Sequence, residues 1–256
     1  MLKWFSLCVF GLSLTAFAGG HGTTWIPHLS ANEQFKSTIF LRNDSFDAPL
    51  TLTATFFASD GTAPSVSLSD SDGPRSGVSE WSATLAPQTA RVIELDSVTG
   101  GDNRSVQARI TGVDGAGNES ELLAIEAAFA LFDGTNVVSK VGVAVSDPST
   151  FFKVNLNGTE LRGFGVTNTD AAQACDCTFT MVGGEGQQLA TAIVSIPAQG
   201  KWLGVVEDLF PTVGELLGSE LGHMSALCSE SVSVQALAFN EGVMSGVPAT
   251  GFQFDP

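Results

Sequence analysis

Three cysteines are the residues whose type and spacing come closest to chemistry in this chain. Cys175 and Cys177 stand two apart in the alternating run from Cys175 to Met181. Successive side chains of a strand point to opposite faces, so both cysteines share the face that carries Phe179 and Met181. Cys228 has the parity of Met224 and Ala226 and is expected in the same interior. In an oxidising compartment Cys228 would bridge to one of the pair, joining distant strands, stabilising the fold by roughly 2–4 kcal/mol and leaving one thiol over. The sharper chemistry is a soft-metal centre. Cys175, Cys177 and Cys228 with His223 offer ligand types suited to copper(I) or zinc, although neither CxC nor HxxxxC is a strong zinc spacing.

Two other groupings could hold metal. Lys3, the apolar stretch Trp4 to Leu14 and the small-x-small site Ala16-Phe17-Ala18 read as a secretory signal peptide over residues 1–18, too short for a membrane span. Cleavage there leaves Gly19-Gly20-His21 at the new terminus. Its free amine, two amides and imidazole could wrap copper(II) or nickel(II) in a square plane. Oxygen ligands for weak extracellular calcium gather at Asp70 and Asp72 and again at Asp114, Asn118 and Glu121. Pro74 breaks the ligand pattern of a helix-flanked calcium loop, and Asp-Gly turns also serve as plain hairpin chemistry. Trp81, between Glu80 and Ser82, is placed either as a carbohydrate platform or as core packing, and the total absence of Tyr weighs against an aromatic binding surface.

Catalytic signatures are missing: there is no GxSxG elbow, no HExxH and no phosphate-binding glycine loop. Two of the three histidines fall close behind the cleavage site, leaving His223 as the expected domain histidine. The chain is therefore expected to be non-catalytic and to hold no resident cofactor, with copper or calcium as the alternatives. Its net charge of −16 repels nucleic acid and anionic lipid, and excludes both as partners. With 43% hydrophobic and only 15% charged residues, it has ample material for a packed core.

The elements that must position these residues are strands. Leu50, Leu52, Ala54 and Phe56 alternate with threonines; Val106, Ala108 and Ile110 alternate with Gln107 and Arg109, which are expected to face water. Turn clusters rich in Gly, Asp and Asn punctuate these runs, as in an all-β sandwich. Helical spacing is confined to residues 205–221, where Pro211 and Gly214 allow a single turn of helix or an irregular loop. Four segments recur in one order. Lys36 to Asn43 matches Leu161 to Asn168; Leu52 to Phe56 matches Cys175 to Phe179; Leu85 to Ile93 matches Ile196 to Leu203; and the run from Ala127 matches that from Gln235. Their spacing is that of tandem domains, predicting one β-sandwich over 19–146 and a second over 147–256.

Asn43, Leu85-Ala86-Pro87 and the ending Phe239 to Val243 with Val247-Pro248 carry a resemblance to the immunoglobulin-like β-sandwich modules of bacterial secreted and surface proteins. The resemblance implies two antiparallel sandwiches in an extracellular or periplasmic setting. It assigns no activity, because such modules serve many functions. The function expected is structural, adhesive or binding, toward an unknown protein or glycan partner; the alternatives are an exported copper-binding protein and a carbohydrate-binding module. No membrane insertion is expected, and edge-strand pairing between copies is the physical route to assembly. N-terminal sequencing of the exported protein should read Gly19 first, and copper titration near neutral pH should then raise a visible d–d band; a terminus elsewhere, or no band, removes the copper site.

Overall fold

A computed structural model of the chain describes residues 22–99, 105–143, 145, 147–157, 161–212, 217, 221–240, 243–247 and 249–252. The signal segment 1–18 and Gly19-Gly20-His21 lie outside them. The fold is all-β and sandwich-like. Its first half runs through β1 (Thr23–Ser30), β2 (Phe35–Asn43), β3 (Leu50–Phe57), β4 (Ser65–Asp70), β5 (Gly73–Val78), β6 (Glu80–Leu85), β7 (Ala90–Thr99), β8 (Ser105–Val113), β9 (Leu123–Asp133) and β10 (Asn136–Val143). One antiparallel sheet has the order β1-β8-β3-β6, and the other β10-β9-β2-β7-β4-β5. Alternation drives the pairing: every second residue of β3 is apolar, and Leu50, Leu52, Ala54 and Phe56 are all 1% exposed or less. They meet Ile39, Leu41, Ile93, Leu95 and Phe129 of the facing sheet in one core.

The second half runs through β11 (Ser149–Asn157), β12 (Leu161–Asn168), β13 (Cys175–Val182), β14 (Gln188–Ile196), β15 (Lys201–Val205), the single turn α1 (Val206–Leu209), β16 (Leu221–Asn240), β17 (Val243–Val247) and β18 (Ala249–Phe252). The 20-residue β16 belongs to two layers. Its first part pairs with β11 and β13, its last part with β12 and β17, and the partners change at Val232. In the first half, β8 and β9 share that task, with a turn over 114–122 between them. Phe152, Phe164, Phe179, Met181 and Val234 belong to a second, separate core. Among the described residues no helix is long and apolar enough to cross a membrane.

A buried asparagine closes the same turn in each half. Asn43 Nδ2 donates to the carbonyls of Ala48, Leu85 and Ala86 at 2.9, 3.1 and 3.2 Å, while its Oδ1 accepts from Ser45 N. Asn168 Nδ2 donates to Gln173, Ile196 and Pro197 at 2.8, 3.3 and 3.0 Å, and its Oδ1 accepts from Asp170 N. Both asparagines are fully buried. Each turn bends through a glutamine in the left-handed region, Gln88 at φ 57° and Gln199 at φ 55°. That conformation is costly for a residue with a Cβ and holds where surrounding bonds over-determine it.

Three expectations need correction. Counting from the two asparagines, Leu50 and Leu52 correspond to Cys175 and Cys177, because Leu50 pairs with Leu85 as Cys175 pairs with Ile196. The sequence match set Leu52 against Cys175; a two-residue slip preserves sidedness and is invisible to alternation. Ala127, opposite Ile39, corresponds to Ala236 opposite Phe164, and not to Gln235. Gln107 does not face water but is fully buried, because the second half covers its side of the sheet. Asn168→Ala leaves three carbonyls without their donor and should cost about 3 kcal/mol in urea unfolding, with Asn43→Ala comparable; a loss under about 1 kcal/mol would show that the clamp is not structural.

Candidate functional site: the cleft between the two halves

The two halves meet through backbone brought close by small residues. Lys201 N donates to Ser59 O at 2.8 Å, and Gln107 Nε2 bridges Ala58 O and Gln199 O at 2.8 and 2.6 Å. A Cβ at Gly61 would stand 2.1 Å from Ala198 O, and one at Gly200 would stand 2.8 Å from Ser59 O. Only glycine permits such contact between the turns. Farther along, Thr167 Oγ1 donates to Pro27 O at 3.0 Å. Ser139 Oγ bonds both the N–H and the carbonyl of Met244. The turn that Asn168 shapes is thus also the turn that docks on the first half.

Inside this seam lies Lys201, 5% exposed, its ammonium donating to Ser105 Oγ at 3.1 Å. No carboxylate pairs with it among the described residues. Burial alone pulls its pKa down to about 7. His28, 7% exposed in β1, is pushed well below the usual imidazole value, first by burial and then by the charge of Lys201. The ring is neutral at pH 7. Its buried Nδ1 has no hydrogen-bond partner, which assigns the proton to Nε2, since an orphaned acceptor costs less than an orphaned N–H.

His28 borders a cleft of about 400 Å³ with walls from both halves. The first half gives it Phe35 and Phe129, ring-stacked at 4.9 Å, with His28 edge-on to Phe129 at 5.3 Å. The second half gives it Leu203, Leu237, Phe239 and a floor of Gly163, Gly165 and Gly204. The floor is low because it lacks side chains: a Cβ at Gly165 would already touch His28 Cβ at 3.4 Å. Polar groups are few. Besides His28 they are Ser30 and Gln235, both buried, Asn32, whose Oδ1 accepts from Gln34 N and Phe35 N, and Asp208, exposed with its Oδ2 accepting from Val205 N at 2.8 Å. Such a cleft accepts an uncharged, mainly apolar body and sets the His28 imidazole beside it as one of a few polar groups.

The residues singled out by sequence fall elsewhere. Cys177 and Cys228 face each other across β13 and β16 and form a disulfide, leaving Cys175 as a buried thiol 3.6 Å from Cys177 Sγ. Burial raises the Cys175 thiol pKa, so it stays protonated. The three sulfur atoms of Cys175, Cys177 and Cys228 lie within 4.8 Å of one another, two of them joined in the bridge, while His223, odd in parity, pairs with Val182 at the far end of the ladder and is not part of that group. Asp70 is committed to Trp81 Nε1 at 2.7 Å and to Arg75 and Arg91, with Asp72 also bound to Arg91, so two cations already occupy the first calcium position. Asp114 accepts from Ala116 N and Asn118 N as a turn cap. Glu121 makes no part of that cap and is exposed. Trp81 is 1% exposed, which removes it as a sugar platform.

Sequence reasoning passed over His28 and Lys201. A signal existed for the first: β1 is buried at both parities from Trp25 to Ser30, and Trp25, Ile26 and Leu29 are apolar on both faces, the mark of a strand covered twice. Lys201 has no such mark. Its folded pKa lies below the unfolded 10.5, so it lowers stability fully below pH 7, and that loss is relieved as pH rises toward 10.5. Lys201→Met should therefore gain on the order of 4 kcal/mol over the native chain at pH 7, the gap closing at about 1.4 kcal/mol per unit toward pH 10.5. A pH-independent gap in denaturation curves would contradict a buried, partly neutral lysine. No family model, no curated protein and no solved structure matches this chain.

Proposed function

We propose that the chain is an exported, non-catalytic binding protein made of two tandem immunoglobulin-like modules. Its cleft between the modules takes a small, uncharged, mainly apolar molecule bearing one acceptor oxygen. The observation that carries this is the cleft itself: about 400 Å³, walled by Phe35, Phe129, Leu203 and Phe239 from both halves, with His28 at its edge. The volume lies in the range of small-molecule sites, and the ratio of apolar wall to polar anchor is typical of them. Asp208 and the net charge of −16 disfavour an anionic ligand. Neutral His28 supplies an Nε2–H suited to a carbonyl or hydroxyl oxygen.

Export is supported by the first eighteen residues and by the Cys177–Cys228 bridge, which suits an oxidising compartment. The tandem-module reading is supported by the like strand orders of the two halves and by the paired clamps of Asn43 and Asn168. The protein should bind Nile red, an uncharged dye with one carbonyl, with a blue shift of its emission. Leu203→Trp, which fills the cleft, should weaken binding at least tenfold without lowering Tm. No dye binding by the native chain, or equal binding by the variant, would refute the cleft as the site.

A further inference from the structure

The sulfur cluster of the second half is larger than a disulfide alone requires. Cys175, Cys177 and Cys228 hold their Sγ atoms within 4.8 Å of one another, all three buried. Among the described residues no other three histidine, cysteine or carboxylate ligands converge in this way. The strands produce the arrangement. Alternation sets Cys175 and Cys177 on one face of β13, and register sets Cys228 of β16 directly opposite Cys177. The third sulfur therefore stands diagonal to the bridge, 3.6 Å from Cys177 Sγ.

Packing does not call for sulfur at that place. In the first half the position of Cys175 is held by Leu50, a plain core residue. The Cys175 thiol donates to Glu230 O at 3.5 Å, which leaves its lone pairs free. The cluster also lies at one end of the sandwich. β13 begins at Cys175, straight after the exposed residues 171–174, and Cys228 is followed by exposed Ser229. An entering ion need pass only this end, not the whole core.

We infer that the three cysteines form a redox-gated site for a copper(I) ion, closed while the bridge stands and open once it is reduced. Geometry and softness select the metal. With metal–sulfur bonds of about 2.3 Å, three sulfurs around an ion in their plane stand about 4.0 Å apart. That is within the span of the cluster once Cys177 and Cys228 are free to part. Sulfur donors select soft ions, and copper(I) accepts three of them without a fourth ligand. Zinc in closed sites takes four ligands, and His223 is too far along the ladder to be the fourth.

The gate opens by exchange with an external dithiol. Its two thiols pass two electrons and two protons to Cys177 and Cys228, and it leaves as its own disulfide. Copper(I) then displaces those two protons to solvent, binds both thiolates and takes Cys175 as a neutral third sulfur. The complex carries a single negative charge, which limits the cost of burying it.

Copper(I) titration of the purified full chain carrying Cys8→Ser, kept under argon, tests the site. After reduction with a phosphine, the chain should gain an ultraviolet sulfur-to-copper band that saturates at a single equivalent. The bridged chain should gain none. Cys175→Ala keeps both the bridge and an apolar side chain, so its oxidised form should melt with the native Tm. Its reduced form should hold copper at least tenfold more weakly in competition with bathocuproine disulfonate. Copper should also raise the Tm of the reduced native chain, and where reduction alone unfolds the chain, copper should restore its β spectrum. No band after reduction, or an equal band before it, overturns the inference. Equal copper affinity in Cys175→Ala, or a reduced chain that copper neither stabilises nor refolds, overturns it as well.

Discussion

The contact between two turns, 58–61 of the first half and 197–201 of the second, sets most of what the molecule can do. Each turn presents backbone that must be hydrogen-bonded once water is excluded, and each finds its partner on the other: Lys201 N on Ser59 O, and Gln107 Nε2 on both Ala58 O and Gln199 O. The glycines at 61 and 200 make the approach possible, and Asn168 fixes the shape of the turn that approaches. With this contact made, β1 is buried on both faces, Lys201 loses its water, and the space between Phe129 and Leu203 becomes a half-open cleft. Without it, each of these would be an ordinary surface.

The two halves solve one interior problem by different chemistry. Where Cys177 faces Cys228 in the second, Leu52 faces Gly112 in the first. A Cβ at Gly112 would stand 2.8 Å from Leu123 and 3.2 Å from Leu52, so branched side chains fill the space that the bridge occupies in the other half. The bridge is therefore a covalent alternative to packing at one cross-strand position. Cys175, sealed beside it with a raised pKa, behaves as a small apolar residue.

Alternation made much of this legible from sequence. The inward sets of β3, β8 and β13 were readable because their period is two, and the turns because Gly, Asp and Asn cluster between the runs. The disulfide was readable to the level of parity, which places three thiols in one interior but cannot choose between Cys175 and Cys177. Register was read only in part: the two-residue slip at Leu52 leaves every side chain on its own face and is invisible to alternation, whereas the one-residue slip at Ala127 changes faces and was a mismatch of the repeat. Least legible was the seam. Gln107 and Lys201 look like solvent-facing residues on any strand pattern, and they are buried only because a second body covers the outer face of a sheet whose inner face is already full. Pattern reports which side of a strand is greasy, not what later settles on its polar side. The cleft inherits that blindness, because its walls come from residues far apart in sequence and each wall alone reads as a minor surface.

Differential scanning calorimetry of the intact chain tests the docking most directly. If the buried seam joins the halves energetically, they unfold together, in one transition whose calorimetric and van't Hoff enthalpies agree. Two resolved transitions, or a calorimetric enthalpy about twice the van't Hoff value, would mean that each half melts alone and that nothing holds the cleft in shape.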